Sequence, residues 1–206
     1  MKISEIIKLW ENDKKIYVKK STYSAYLLLI ENHINPYFAN KEQITEEDVQ
    51  KFVLTELSKG LSQKSIKDII IVLKMILKFA VKQKLLAYNE IEIKFPTVGE
   101  KTDLEVLNKN DHKKIINYLQ ENFTFKNLGI YICLSTGMRI GEICGLLWSD
   151  IDVESGIIKV RRTVQRIYVI DGETRHTEIL IDTPKTKNSI RDIPMTTELY
   201  KIIKPL

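Results

Sequence analysis

Six arginines stand in this chain, all at or beyond Arg139, while lysines run along its whole length. The first arginine lies in the segment Ser135-Thr136-Gly137-Met138-Arg139-Ile140-Gly141-Glu142. Residues 126–135 carry an apolar helical pattern, and a glycine just beyond closes such a helix, because glycine enters left-handed backbone without a steric penalty. Gly137 therefore delivers Arg139 to the opening of a further helix over 140–147, which Ile143, Leu146 and Leu147 anchor inward. A guanidinium held there can grip a phosphate or a carboxylate with its planar fork, helped by the positive end of the helix dipole. Glu142, within one turn, is placed to orient that guanidinium or to form a plain structural ion pair, and the residues alone leave both open.

Lysine supplies a different chemistry, the diffuse attraction of a polyanion by mobile point charges. Lys67, Lys74, Lys78 and Lys82 recur at intervals of seven, four and four on one helical face, and Asp68 is the only acid between Lys64 and Lys84. Lys19, Lys20, Ser21, Thr22 and Tyr23 gather further phosphate donors at the start of a helix. A solvated face accounts for the lysines of an isolated helix; the two clusters together raise contact with a DNA backbone as the competing reading. The 32 basic and 27 acidic residues give +5, of which +4 falls within residues 1–97.

These side chains need elements to position them. Ile3, Ile6, Ile7 and Trp10 repeat at helical spacing over 3–14, and Ser21 is expected to cap a second helix, carrying Tyr23, Tyr26, Leu27 and Ile30, that Pro36 ends. Thr45 followed by Glu46, Glu47 and Asp48 starts a third helix, which stops at Gly60. Ser62 opens a fourth, whose apolar face runs from Ile66 to Val81. Over 96–108 the periodicity lapses around Pro96 and Gly99, the mark of an interdomain linker. Beyond it, Asn110 or Asp111 caps a helix to about residue 122, and the two helices flanking Gly137 follow. Residues 156–160, 163–170, 178–182 and 190–194 read as strands, with Asp171-Gly172 as a hairpin turn. The expected fold class is mainly α with a small antiparallel sheet: a helical domain over 1–95, a linker over 96–108 and a mixed domain over 109–206.

Composition narrows the class. Hydrophobic residues at 44% and charged residues at 29% describe an ordinary globular chain, not a disordered or low-complexity one. No apolar run approaches the roughly 20 residues of a membrane span. Met1 leads straight into a charged amphipathic segment, so neither a membrane nor a signal peptide is expected, and the cytoplasm is the expected compartment. Cys133 and Cys144 form no Cys-x-x-Cys pair; no disulfide framework or metal site is expected, and both are read as small buried hydrophobes.

The run Thr136-Gly137-Met138-Arg139-x-x-Glu142-x-x-x-Leu146-x-Trp148-x-Asp150-Ile151 resembles the first conserved box of the tyrosine recombinases, the phage integrase family that includes conjugative-transposon integrases. Thr183-Pro184-Lys185-Thr186-Lys187-Asn188-Ser189-Ile190-Arg191-Asp192-Ile193-Pro194 is similar to that family's β-hairpin bearing a catalytic lysine. The four-helix amino-terminal half is similar to the family's SAM-like core-binding domain, so the resemblance covers nearly the whole chain. It implies a site-specific recombinase of a mobile element, with double-stranded DNA as partner. A tyrosine attacks a phosphodiester, leaving a 3′-phosphotyrosyl link and a free 5′-hydroxyl, with no metal or other cofactor. In that scheme Arg139 stabilises the charge gathering on the non-bridging oxygens, and Glu142 supports it. Lys185 protonates the leaving 5′-oxygen, with Lys187 its rival. Lys187 and Arg191 are otherwise assigned to backbone phosphates. The resemblance also implies self-association of the full-length enzyme on DNA.

The family pattern continues with a His-x-x-Arg box and a nucleophilic tyrosine. His33, His112 and His176 are followed three positions on by Pro36, Ile115 and Ile179. Tyr200 comes directly after the lysine hairpin and is read as a packing residue of the next helix. These residues are therefore expected to bind DNA without cleaving it, as the amino-terminal part of a recombinase. The competing readings are a non-catalytic DNA-binding module that occupies recombination sites or regulates the full-length enzyme, and a protein-interaction domain unrelated to DNA, which leaves the Arg139 segment unexplained.

Overall fold

The computed structural model describes residues 1–97, 105–172, 174–184 and 189–206. The chain divides into two compact units, Met1–Lys101 with Ile167–Thr177, and Thr102–Arg166 with Glu178–Leu206. The tip of the hairpin, which the sequence reading gives to the second domain, thus counts with the first unit. Among the described residues no helix is long and apolar enough to cross a membrane.

Apart from the strand residues within 167–177, the first unit is helical. Helix α1 (Ile3–Tyr17) buries Ile3, Ile6, Ile7 and Trp10. Helix α2 spans Lys20–Leu29 and its N-cap is Lys19, so Ser21 does not cap it. Pro36 does not end the helical path either. One wide π turn, Ile30–Ile34, leads straight into α3 (Asn35–Phe38), where Pro36 occupies the first turn. A first-turn position asks for no N–H donor, so proline costs nothing there.

Thr45 caps α4 (Glu46–Ser58) as the sequence leads one to expect: its hydroxyl accepts from the Asp48 N–H, and the Asp48 carboxylate accepts from the Thr45 N–H. Gly60, at φ +89°, takes the left-handed turn that follows. Ser62 caps the 20-residue α5 (Gln63–Lys82), which buries Ile66, Ile69, Ile70, Val72, Leu73, Ile76 and Ala80 in a core shared with Phe38 and Phe52. Residues 85–97 then run without regular structure along α4 and α5. Gln50 grips this strap like a neighbouring strand, donating to the Lys94 carbonyl at 2.9 Å and accepting from the Lys94 N–H at 3.0 Å.

In the second unit α6 (Lys109–Glu121) is capped by Asn108, not by Asn110 or Asp111; the Asn108 side chain accepts from the Asp111 N–H at 2.9 Å. Helix α7 (Phe125–Thr136) buries Leu128, Tyr131 and Ile132 and ends at Gly137, whose φ is +66°. Helix α8 covers only Ile140–Cys144, shorter than its apolar pattern suggests. A 3-10 turn, Trp148–Asp150, leads into strand β1 (Ile151–Asp152), and β2 (Ile157–Val160) follows. Strands β3 (Thr163–Asp171) and β4 (Thr174–Asp182) form a two-stranded sheet of their own. Strand β5 (Arg191–Pro194) returns to pair antiparallel with β2, giving a three-stranded sheet in the order β1-β2-β5. Helix α9 (Thr197–Ile203) closes this unit's core with Leu199 and Ile203. Neither cysteine is a buried hydrophobe: Cys144 is exposed and Cys133 half-buried, its thiol reaching the Met138 carbonyl.

Candidate functional site

Two glycines set where α8 lies. A Cβ on Gly141 would stand 2.5 Å from Thr163 Oγ1 and 3.0 Å from the Val164 carbonyl oxygen. A Cβ on Gly145 would stand 3.1 Å from Arg162 Cγ. The backbone at Gly141 and at the Gly145 cap therefore lies close against the start of β3, an approach that a side chain at 141 would force apart.

That placement puts Glu142 inside and Arg139 at the helix entrance. The Glu142 side chain is 4% exposed. Its Oε2 accepts from the Arg139 backbone N–H at 2.9 Å, the reciprocal half of a capping box. Its Oε1 accepts from Arg139 Nη1 at 3.1 Å. Arg191, brought in by the β2–β5 pairing that sets it opposite Val160, forks onto the same carboxylate, with Nη1 3.0 Å from Oε1 and Nη2 2.9 Å from Oε2. The Glu142 carboxylate thus bonds both guanidinium groups, that of Arg139 on its own helix and that of Arg191 from β5. The hydrogen bonds from Arg191, ahead of those from Arg139 and against the cost of burial, hold the Glu142 carboxyl down at about 2. Glu142 in turn raises the value of Arg191 above that of an ordinary guanidinium.

A second arginine–carboxylate pair braces the loop that follows. Buried Asp150 accepts from the Leu147 N–H at 3.0 Å and from Arg162, whose Nη1 also donates to the Gly145 carbonyl. Arg161 pairs with Asp192 at 2.7 Å. Sequence reasoning gave no function to Arg161, Arg162 or Asp192, and none to Asp150 beyond its place in a motif. The readable signal was Asp150 three residues after Leu147, the spacing of a carboxylate that caps its own turn.

The other expected site residues are distributed as follows. Lys185 and Lys187 lie outside the described residues. Arg191, expected from sequence at a backbone phosphate, has its fork on Glu142. On α5, Lys67 stands over the Phe95 ring at 5.0 Å and Lys74 donates to the Ile91 carbonyl at 3.0 Å, so the strap engages both. All four lysines, Lys67, Lys74, Lys78 and Lys82, are exposed on this helix. Lys19, Lys20, Ser21, Thr22 and Tyr23 lie at the start of α2, as the sequence suggests, with the two lysines exposed and the others half-buried. Burial, and then the charge of Glu11, push the Tyr23 hydroxyl up. Tyr200 is half-buried on α9, with Lys204 Nζ 5.4 Å from its ring centre.

The architecture is that of an integrase. It superposes on the Tn1549 transposon integrase in complex with a circular intermediate DNA at a TM-score of 0.76 and 23% identity, covering 100% of this chain and 64% of that one. A λ integrase from a tetramer bound to a Holliday junction gives 0.60 at 19% identity over 87% of this chain and 50% of that one. Residues 105–206 match the phage integrase family and residues 2–56 the amino-terminal SAM-like domain of phage integrases. This chain belongs to the phage integrase family of tyrosine recombinases. A XerC-like tyrosine recombinase of Caldanaerobacter subterraneus subsp. tengcongensis is 30% identical over 201 residues, 91% of this chain and 51% of the relative. The ICEBs1 integrase of Bacillus subtilis is 28% identical over 204 residues, 97% of this chain and 52% of the relative. The chain spans about half the length of the curated relatives it matches.

Proposed function

We propose that this chain binds duplex DNA as part of a site-specific recombinase of a mobile element, and that Arg139 is its ligand for the phosphate undergoing strand transfer. The observation that carries this reading is Arg139 itself: a side chain 73% exposed at the start of α8, steadied from below by a buried carboxylate. A guanidinium so placed meets the charge that gathers on the non-bridging oxygens when a phosphodiester is attacked, and needs little reorganisation to do so. The kinship with mobile-element integrases, and the DNA present in the structures of its fold relatives, support the same partner. Lys185 is the proposed proton donor to the leaving 5′-oxygen, and Lys78 and Lys82 are proposed contacts to backbone phosphates. Assembly of the enzyme on DNA is proposed by analogy with the λ integrase tetramer.

These 206 residues contain no His-x-x-Arg, and that observation favours binding without cleavage. The same absence keeps open the second reading, a DNA-binding module that occupies recombination sites or regulates a full-length enzyme. The test is a nicked suicide duplex carrying an integration site. The chain is expected to retard the duplex, more weakly as salt rises, and to leave no covalent adduct in denaturing gels. A trapped phosphotyrosyl adduct would overturn the non-cleaving assignment, and salt-independent retardation or none would overturn the DNA-binding one.

A further inference from the structure

Arg139 and Arg191 share one carboxylate, yet they are not equivalent. Arg191 spends Nη1 on Glu142 Oε1 and on the Ser189 carbonyl at 3.2 Å, and Nη2 on Glu142 Oε2. Its side chain is 30% exposed, against 73% for Arg139, which gives Glu142 a single guanidinium hydrogen bond at 3.1 Å. Two guanidinium groups and one carboxylate leave the cluster with one net positive charge. Without Arg191, the buried carboxylate would have Arg139 as its sole guanidinium partner within this cluster, would draw that group inward, and would cancel its charge.

We propose that Arg191 is a positioning residue: by neutralising and fixing Glu142 it leaves the Arg139 guanidinium outward-facing and net cationic for a phosphate. It does not bind that phosphate itself. This inference rests on the reading of Arg139 as a phosphate ligand. It also gives β5 a function, since its pairing with β2 carries Arg191 to α8.

The experiment uses the 206-residue chain with inorganic phosphate as the probe, following the Nε–Hε signals of Arg139 and Arg191 by nitrogen-15 NMR. In the unsubstituted chain, phosphate is expected to move the Arg139 signal and leave that of Arg191 in place. Arg191→Gln is expected to weaken the apparent phosphate affinity of Arg139 about fivefold, the scale of coupling between residues of one hydrogen-bonded network. Arg191→Lys, which keeps the charge but loses the planar fork, is expected to restore part of that loss and serves if Arg191→Gln fails to fold. In a Glu142→Gln background, where no carboxylate competes for Arg139, Arg191→Gln is expected to change the affinity less than twofold. That collapse is what a merely structural effect would not produce. Movement of the Arg191 signal, an unchanged affinity in Arg191→Gln, or equal losses in both backgrounds would overturn the proposal while sparing the phosphate reading. If phosphate moves neither signal in the unsubstituted chain, the phosphate reading falls and the inference falls with it.

Discussion

Glu142 accepts four hydrogen bonds on two oxygens, all from two arginines. Its carboxyl lies at about 2 in the folded chain, against 4.5 for a free one. Because the folded value is the lower, the stability it contributes is complete above about pH 5 and is lost as the pH falls through 4.5 toward 2; the shift corresponds to roughly 3 kcal/mol. Glu142→Gln is accordingly expected to lower urea-unfolding stability at pH 7 by about 2 kcal/mol and to flatten its acid dependence, read through Trp148 in a Trp10→Phe background. Glu11 shows the opposite sign. Burial first, and the charge of Glu31 second, raise it from 4.5 to about 7 against the opposing pull of Lys8. A raised carboxyl stabilises the fold below 4.5 and surrenders that contribution as the pH rises through 7. Glu11→Gln is expected to hold the first unit's stability level between pH 5 and pH 8, where the unsubstituted chain weakens. Trp10 fluorescence in a Trp148→Phe background measures it.

At the scale of elements, the geometry of the candidate site depends on a helix of five residues, too short to be stable alone, that is held by contacts on each side. Gly141 is the tightest of these, with Thr163 Oγ1 and the Val164 carbonyl where a Cβ would go. Gly141→Ala is expected to cost about 2 kcal/mol in thermal or urea unfolding. Adding Thr163→Ala should recover part of this, because it removes the 2.5 Å contact and leaves the 3.0 Å one. Much of the element pattern was legible in advance. Thr45 with Asp48, Ser62, Gly60 and Gly137 all act where local chemistry puts them. The misreadings are local competitions decided by context. Lys19 precedes the helix although Ser21 is the better capping residue, and the wide turn at Ile30–Ile34 lets the chain pass Pro36 while still helical.

For the whole molecule, net charge is a poor guide to which cations remain available. The α5 lysines form one exposed stripe, but of these the strap over 85–97 touches Lys67 and Lys74. If α5 meets a DNA backbone as proposed, Lys78→Ala with Lys82→Ala should lower the slope of log affinity against log salt by about 2. Lys67→Ala with Lys74→Ala should lower it less and reduce the stability of the first unit instead. Filter binding across a salt series, paired with urea unfolding, separates the two effects.

The sequence by itself determined the family and the helix stops at Gly60 and Gly137, because each is written in residues close together along the chain. What Glu142 and Arg191 do was decided only by the tertiary structure. They stand 49 positions apart, and nothing in their spacing joins them. The pairing of β5 with β2, and the glycines that let α8 settle on the start of β3, bring one arginine onto a buried carboxylate and leave the other facing outward. The physical reason is that a charge acts through its distance and burial in space, and both are properties of the packed chain.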